Sequence, residues 1–353
     1  MLLSEVTDAG LRAAGAAWLG DRAAMVEPLV GDGFSGATIV RLRSGDPSGD
    51  LVLKSFPKGA RSQIAWVHDL MAHLRTAGCQ EVPDVVAARC GRTIVTGADG
   101  RAWEAVRFVE GVATTAPHVA QSRAAAAAVA RVHRAAAAWP AAPPRSAVPP
   151  AVTRRIEQAR RMLAAPWHTL VPGAGGGELD DAVAARLAAA EACGRKGGLE
   201  AALQGIAAAP VVPVVLQAVI RDVWSSHLLF DPDEPGRVAG IVDFHAAAID
   251  TPATDLARLL GSWTRDPASP LADAWRDALD AYEGIRPLVD AERRLVPWLD
   301  ATGTVFALDN WFRWTLLEGR VFELPVRVVG RIDRLLQLLP TALASLSGAR
   351  ARV

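Results

Sequence analysis

Short runs of alternating apolar and polar residues fill the first hundred positions of the chain. Residues 38–43 and the run LVLKSF at 51–56 alternate as half-buried strands do, with the turn-forming cluster SGDPSGD between them. This pattern predicts a β-hairpin. Residues 62–77 instead predict an amphipathic helix. The apolar stripe of that helix consists of Ile64, Val67, Leu70, Met71 and Leu74.

Helical patterns dominate from residue 120 onward. The alanine-rich run QSRAAAAAVARVHRAAAAW favours a helix, which the proline-rich residues 139–150 must end. Short strands and tight loops return over residues 211–255, and the remainder is helical and rich in tryptophan. This order predicts an α+β fold of two lobes with a cleft between them. The small β-rich N-terminal lobe is expected at residues 1–108, and the larger, mainly helical C-terminal lobe at residues 109–353.

Charge and cysteine content argue against several classes of protein. The 38 basic and 38 acidic side chains cancel, whereas nucleic-acid binders and membrane-surface proteins need a surplus of positive charge. The three cysteines, Cys79, Cys90 and Cys193, include no CxxC pair, which argues against a disulfide framework or a zinc site and favours a reducing cytoplasm. The uncharged residues 201–220 contain prolines and glutamines, so they predict a short helix and a buried strand rather than a membrane span.

A glycine-rich loop and a lysine stand out in the N-terminal lobe. Gly31, Gly33 and Gly36 form G-x-G-x-x-G, with Ser35 inside the motif, and the strand-like run ATIVRLR follows. A glycine loop between two strands is the arrangement with which protein kinases cover nucleotide phosphates. Lys54 ends the next strand, where kinases keep a phosphate-binding lysine. A plain hairpin turn and a solvated lysine are the alternatives, but the two features together favour nucleotide binding.

The helix that normally supplies a glutamate to this lysine has none here. Residues 62–77 contain His68 and Asp69 but no glutamate. We therefore expect either Asp69 or an acid from elsewhere in the chain to pair with Lys54.

Two acidic loops within residues 220–260 form the strongest motif. Asp222 follows Arg221 in a loop, and Asp243 ends the strand RVAGIVDF after the turn DPDEPG. Carboxylates on either side of one hairpin can converge, as phosphoryl transfer requires. One carboxylate orients the attacking hydroxyl and accepts its proton, while the other holds magnesium against the phosphates. The alternative is a pair of loop acids that cap turns.

This stretch resembles the aminoglycoside phosphotransferase and choline-kinase-like family, which has a protein-kinase-like fold. The family motifs H-G-D-x-x-x-x-N, I-D-F and D-P-A-x-D-L-A read here as I-R-D-x-x-x-x-H, I-V-D-F-H and T-P-A-T-D-L-A. The resemblance implies a catalytic base at Asp222 beside Arg221. It also implies a magnesium ligand at Asp243 and a buried structural aspartate at Asp255. The residues that resemble the interlobe hinge bordering the adenine are Arg107, Phe108 and Val109.

One position departs from the family in a way that affects metal binding. His227 stands where the family has the asparagine that binds a second magnesium ion. Imidazole can ligate metals, but magnesium prefers oxygen donors. Either His227 is a metal ligand nevertheless, or one ion suffices, or the histidine contacts a phosphate as a cation, or metal use is compromised.

The resemblance implies a kinase that transfers the γ-phosphate of ATP or GTP, with Mg²⁺, to a hydroxyl group of an aminoglycoside-like or other small metabolite. The alternative is a catalytically degenerate pseudokinase that binds nucleotide or a partner protein. In the family, acidic and aromatic side chains of the C-terminal helices line the acceptor pocket. The candidates here are Asp250, Asp309, Trp311, Trp314 and Glu318. We expect a monomer or homodimer that binds neither nucleic acid nor membranes.

Overall fold

The computed structural model places the described residues in two compact units. It describes residues 3, 8–20, 25–29, 37–43, 49–170, 177–263, 271–322 and 324–348, with the backbone alone at 271–274 and 348. The first unit comprises Met1–Pro144, Gln217–Ala248 and Arg258–Pro287. The second comprises Arg145–Leu216, Ile249–Ala257 and Leu288–Val353. These limits differ from the division at residue 108 that the sequence predicts, because the chain returns to the first unit twice after leaving it.

Three sheets contain the strands of the described residues. The strands are β1 (Met25–Pro28), β2 (Ile39–Arg43), β3 (Leu51–Phe56), β4 (Ile94–Thr96), β5 (Ala102–Arg107), β6 (Val112–Ala113), β7 (Arg145–Ala147), β8 (Val214–Val219), β9 (Leu228–Phe230), β10 (Val238–Ile241) and β11 (Ala248–Asp250). One sheet has the order β1-β2-β3-β5-β4, with every pairing antiparallel. A second has the order β10-β9-β6, and a third the order β11-β8-β7.

The strand β3 alternates as the sequence predicts. Leu51 and Leu53 are buried, whereas Val52 and Lys54 are half-buried. The antiparallel pair β2–β3 confirms the predicted hairpin. On its other side β3 pairs with β5, and this register sets Glu104 directly opposite Lys54. Directly opposed residues of two strands project from the same face of the sheet, so these two side chains are neighbours.

The helices confirm the second part of the predicted pattern. They are α1 (Ala9–Leu19), α2 (Arg61–Thr76), α3 (Val119–Ala137), α4 (Pro150–Ala164), α5 (Glu178–Gly197), α6 (Leu199–Ala207), α7 (Ala253–Ser262), α8 (Leu271–Glu283), α9 (Asp290–Leu316) and α10 (Pro325–Gly348). The predicted apolar stripe of α2 is buried along its whole length. Within that stripe, Ile64 packs with Phe56 and Ile94 of the N-terminal sheet.

One apolar core holds the second unit together. Its side chains come from α4, α5, α6, α9 and α10 and include Leu203, Phe312 and Ile332. Burying a side chain of this size stabilises the fold by about 1.5–3 kcal/mol. The helix α6 and the strand β8 confirm the two elements predicted in the uncharged residues 201–220. Within the described ranges, no helix is both long enough and apolar enough to cross a membrane. The β-rich beginning and the mainly helical remainder confirm the predicted α+β class.

Candidate active site

A short hairpin brings the two acidic loops together in the first unit. The strands β9 and β10 pair antiparallel, as the sequence predicts. Beyond this pair, the backbone N–H of Val242 donates to the carbonyl oxygen of His227 at 2.8 Å. The residue before Asp243 is therefore joined to the end of the loop that begins at Asp222. The hairpin thus joins the two acidic loops through the backbone.

Both acidic loops contain an unusual backbone conformation. Arg221 has a φ of 68° and Asp243 a φ of 63°, and among the described residues these are the only non-glycine positions with positive φ. The left-handed region costs most L-residues about 1–2 kcal/mol, and Asp or Asn less, because their short side chains can bond the local backbone. Strained residues of this kind cluster at active sites and ligand clamps. Their occurrence at two predicted catalytic positions favours a functional site here.

The carboxylate of Asp222 is oriented by two neighbours. Trp224 Nε1 donates a hydrogen bond of 2.6 Å to Asp222 Oδ1. Arg258 Nε lies 3.9 Å from the same oxygen, and the Arg258 guanidinium stacks on the Trp224 ring at 4.4 Å from its centroid. The Asp222 side chain is 35% exposed. The carboxylate is thus held at one oxygen while part of its surface stays open to a substrate.

Lys54 and Asp243 are in direct contact although they lie 189 residues apart in the chain. Lys54 Nζ donates to Asp243 Oδ1 at 2.8 Å. His245 Nδ1 lies 2.9 Å from that oxygen and 3.2 Å from Lys54 Nζ. Burial alone would raise the pKa of Asp243, but His245 and Lys54 hold it well below its usual range, so Asp243 is ionised. The acid that contacts Lys54 is thus Asp243, whereas Asp69 is exposed on α2.

A buried glutamate adjoins this pair. Glu104 on β5 is only 2% exposed. Its Oε2 lies 2.7 Å from His68 Nε2. Its Oε1 lies 2.8 Å from His245 Nε2, a salt-bridge distance at which the ring N–H is not aligned for a hydrogen bond. Burial would raise the pKa of Glu104, but the two histidines lower it to about 2. Burial opposes a charge on His245, yet Asp243 and Glu104 raise its pKa.

Sequence analysis did not identify Glu104, His245, Trp224 or Arg258. Weak signals for three of them are present in the sequence. His245 directly follows the motif I-V-D-F, Trp224 lies two residues after the predicted base, and Arg258 directly follows T-P-A-T-D-L-A. Glu104 has no such signal, because its position opposite Lys54 depends on which strand pairs with β3.

His227 contacts the backbone of the loop that begins at Asp222. Its Nδ1 lies 2.7 Å from the carbonyl oxygen of Asp222. Because a carbonyl only accepts, Nδ1 carries the proton, and Nε2 is the nitrogen left for a metal or a phosphate. A backbone carbonyl on one ring nitrogen is a usual second partner of a metal-binding histidine.

The donor set fits magnesium bound together with a nucleotide. In the described part of the chain, no three or more His, Cys, Asp or Glu side chains are grouped to hold a metal. Magnesium is usually bound by one or two carboxylates together with substrate phosphates and water, and not by an all-protein cage. The ionised carboxylate of Asp243 meets that requirement. A second ligand at His227 stays a prediction.

The predicted hinge is packed within the first unit. Arg107 ends β5, and the Arg41 guanidinium lies 3.6 Å from the centroid of the Phe108 ring. A Cβ on Gly240 would come within 2.6 Å of Val109, so glycine permits the close approach of β10 to this segment. These contacts fix the segment, while its contact with an adenine stays a prediction. The predicted glycine-loop residues Gly31, Gly33, Ser35 and Gly36 lie outside the described residues.

Among the acceptor candidates, Asp309 is fully buried in the second unit. Its carboxylate accepts hydrogen bonds from three side chains, which are Arg161, Arg313 and Trp167. A carboxylate with no exposed surface and three donors has no oxygen that a substrate could reach. This burial argues against the expected role in acceptor binding and for a structural one.

The other candidates differ in exposure. Asp250 is buried and paired with an arginine of α4 at 2.8 Å, and Trp311 belongs to the core of the second unit. Both arrangements argue against contact with an acceptor. Trp314 is half-buried and Glu318 is exposed, so these two can still reach a small molecule. Asp255 is fully buried near the start of α7, as a structural aspartate would be.

Comparisons with known proteins identify the family of this chain. The model of the phosphotransferase enzyme family matches residues 29–288. The chain is 43% identical to the homoserine kinase of Gluconacetobacter diazotrophicus over 81 residues, which cover 22% of this chain and only 25% of that relative. It is 27% identical to the homoserine kinase of Gluconobacter oxydans over 273 residues, which cover 75% of this chain and 76% of that relative.

Solved structures share the fold at low sequence identity. An amicoumacin kinase in complex with AMP-PNP, Ca²⁺ and Ami superposes with a TM-score of 0.61 at 12% identity, covering 96% of this chain and 94% of that one. An aminoglycoside phosphotransferase from Alicyclobacillus acidocaldarius gives a TM-score of 0.57 at 15% identity, covering 97% and 96%. These similarities confirm the predicted protein-kinase-like fold.

Proposed function

The chain belongs to the phosphotransferase enzyme family, and we propose that it transfers the γ-phosphate of a nucleoside triphosphate to a hydroxyl group of a small molecule. One observation carries this proposal, the 2.8 Å contact between Lys54 and Asp243 in the unit that also contains Asp222. Phosphoryl transfer requires a cation for the phosphates, a carboxylate for magnesium and a carboxylate for the hydroxyl proton. These three residues supply one of each.

Asp222 is the proposed base. Because Trp224 and Arg258 both approach Oδ1 of Asp222, we assign Oδ2 to the acceptor hydroxyl. The hydroxyl oxygen forms a bond to the γ-phosphorus while the bond from that phosphorus to the bridging oxygen breaks. The nucleoside diphosphate leaves, and the hydroxyl proton passes to Asp222.

Lys54 and Asp243 bind the nucleotide in this proposal. Magnesium held by Asp243 would neutralise the charge that the phosphates carry. Lys54 must then exchange its contact with Asp243 for the phosphate oxygens. His245 Nδ1 lies 2.9 Å from Asp243 Oδ1 and 3.2 Å from Lys54 Nζ, so it stays beside Asp243 when Lys54 moves.

We propose a small amino alcohol as the acceptor, with homoserine as the first candidate. Support comes from the relatives named homoserine kinase, two of which align over 76% and 70% of their own length. An aminoglycoside is the second candidate, because aminoglycoside phosphotransferases share the fold.

A pseudokinase is the second candidate function. It is favoured by His227, which replaces the expected asparagine and commits one nitrogen to a backbone carbonyl. It would bind nucleotide without turnover.

The test is a substrate screen with the full chain. Magnesium and either ATP or GTP are supplied with homoserine, an aminopropanol or kanamycin as the acceptor. A coupled assay measures release of the nucleoside diphosphate, and phosphorus NMR identifies the phosphorylated product. Acceptor-dependent turnover that Asp222→Asn lowers by about 10²–10⁴-fold is the expected result. Nucleotide binding without turnover on any acceptor would leave the pseudokinase, and absent nucleotide binding would remove both functions.

A further inference from the structure

We propose that Glu104, together with His68 and His245, positions the magnesium-binding aspartate and links it to α2, which has no glutamate for Lys54. This inference rests on the proposed nucleotide-binding function. In protein kinases, a lysine–glutamate pair joins the lysine strand to a helix, and the active state requires that pair. Here the helix contributes a buried histidine instead, and the glutamate comes from the strand beside Lys54.

An unbroken series of side-chain contacts runs from α2 to the loop that begins at Asp243. His68 Nδ1 lies 3.0 Å from Thr93 Oγ1, and His68 Nε2 lies 2.7 Å from Glu104. The other oxygen of Glu104 lies 2.8 Å from His245 Nε2. The second nitrogen of His245 is 2.9 Å from Asp243 Oδ1. Each oxygen of Glu104 thus faces one histidine, and each histidine has a further partner.

The burial of the Glu104 carboxylate requires an explanation. Removing a carboxylate from water costs several kcal/mol unless paired groups compensate, and an apolar side chain would avoid that cost. Glu104 is 2% exposed and lies in the sheet between two histidines. Because both histidines contact it directly, its charge fixes their ring positions. The ring of His245, in turn, determines where the Asp243 carboxylate lies.

A second contact joins the same two elements. Gln63 on α2 donates from Nε2 to the carbonyl oxygen of Ala247 at 2.9 Å. The Phe56 ring packs against His245 with 4.3 Å between the ring centroids. The segment from Asp243 to Ala247 is therefore held to α2 and to β3, so a displacement of α2 would move the magnesium ligand.

Glu104→Gln tests the inference with little change of shape. The amide keeps one acceptor but sets an NH₂ group against the other histidine. Groups that orient a metal ligand typically affect metal affinity by about 10–100-fold. The dissociation constant of a non-hydrolysable ATP analogue, measured by calorimetry with magnesium, should therefore rise about tenfold. The same constant measured with a chelator should not change. Glu234→Gln is the matched control, since Glu234 is 71% exposed on the turn between β9 and β10.

Two further variants separate positioning from stability. His245→Asn is too short to reach Glu104, so it should cause the same loss of magnesium-dependent affinity. The double variant Glu104→Gln/His245→Asn should lose no more than either single variant, because both changes break one chain of contacts. His245→Asn carries the test alone if Glu104→Gln does not fold. A purely structural role predicts a lower melting temperature with unchanged magnesium-dependent affinity in the folded protein.

The outcomes distinguish this inference from the proposed function. If the unsubstituted protein binds the analogue tightly with magnesium but Glu104→Gln binds it equally well, the positioning role is wrong and the proposed function stands. Additive losses in the double variant also overturn the positioning role. If magnesium does not alter nucleotide binding by the unsubstituted protein, the proposed function fails and the inference falls with it.

Discussion

The contact between Lys54 and Asp243 should weaken the binding of nucleotide in the absence of magnesium. Lys54 is then occupied by a carboxylate, and that carboxylate also repels the phosphates. Asp243→Asn removes the negative charge and leaves Lys54 for the phosphate oxygens. The variant should therefore bind metal-free nucleotide more tightly than the unsubstituted protein, although it has lost the proposed magnesium ligand.

The size of this effect follows from the exposure of the pair. A hydrogen bond between charged groups contributes about 1.5–3 kcal/mol. The Lys54 side chain is 13% exposed and that of Asp243 is 32% exposed, so solvent screens the pair in part and the lower end applies. Release of about 1.5–2 kcal/mol corresponds to about 10–30-fold tighter binding of metal-free nucleotide.

The choice of asparagine follows from the backbone. Asp243 has a φ of 63°, a conformation that asparagine tolerates and alanine does not. Asp243→Ala would add about 1–2 kcal/mol of backbone strain to the loss of charge. It should therefore melt at a lower temperature than Asp243→Asn, which makes asparagine the cleaner variant.

Calorimetry with a non-hydrolysable ATP analogue, with a chelator and with magnesium, measures both effects. We expect Asp243→Asn to bind more tightly in the chelator and to gain nothing from magnesium. Asp233→Asn, an exposed change on the turn between β9 and β10, is the control. Equal or weaker binding by Asp243→Asn in the chelator would refute the reasoning, because Lys54 would then not be held from the nucleotide by Asp243.

Four further outcomes are expected. Trp224→Phe removes the 2.6 Å hydrogen bond to Asp222 and should lower kcat about tenfold with the nucleotide Kd unchanged; steady-state kinetics and calorimetry check this, and an unchanged kcat would contradict it. His227→Asn should keep or raise activity and lower the magnesium concentration that gives half-maximal activity, because magnesium prefers oxygen donors. A folded but inactive variant would show that His227 has its own chemical role. Asp309→Asn should lower the free energy of unfolding by about 1–3 kcal/mol, with the acceptor KM unchanged, because it removes the charge of a buried carboxylate whose partners Arg161 and Arg313 are 47% and 14% exposed; a higher KM at normal stability would return Asp309 to the acceptor site. The pKa of Glu104 falls from 4.5 to about 2 on folding, so its ionised form contributes on the order of 3 kcal/mol of stability that is present above pH 4.5 and lost as the pH falls toward 2. In urea unfolding, the free energy of unfolding of Glu104→Gln should therefore decrease less steeply with falling pH than that of the unsubstituted protein, and an equal decrease would contradict the assignment.

Strands and helices could be predicted wherever apolar residues recur at a regular spacing, because that spacing depends only on residues close together in the chain. The alternation in LVLKSF and the helical stripe of residues 62–77 both appear in the structure as predicted. The catalytic candidates Asp222 and Asp243 could also be identified from the sequence, because they lie on either side of one short hairpin. Chain proximity and motif spacing sufficed for that inference.

The acceptor candidates show where such reasoning fails. The sequence marks Asp309 as an acid on a C-terminal helix, but not whether that face of the helix meets solvent or core. Helical spacing places a side chain on a face, and only the packing of the neighbouring helices determines what that face meets. In the structure Asp309 is buried and accepts hydrogen bonds from Arg161, Arg313 and Trp167.

By itself the sequence determined the fold class, the hairpin with its two acidic loops and the lysine strand, because each depends on residues close together in the chain. The tertiary structure decided which acid contacts Lys54 and which groups surround it. Asp243 lies 189 residues from Lys54, and Glu104 reaches the cluster only because β3 pairs with β5 in one register. Ion pairs depend on distance in space, and strand order and register set that distance without leaving a local pattern in the chain.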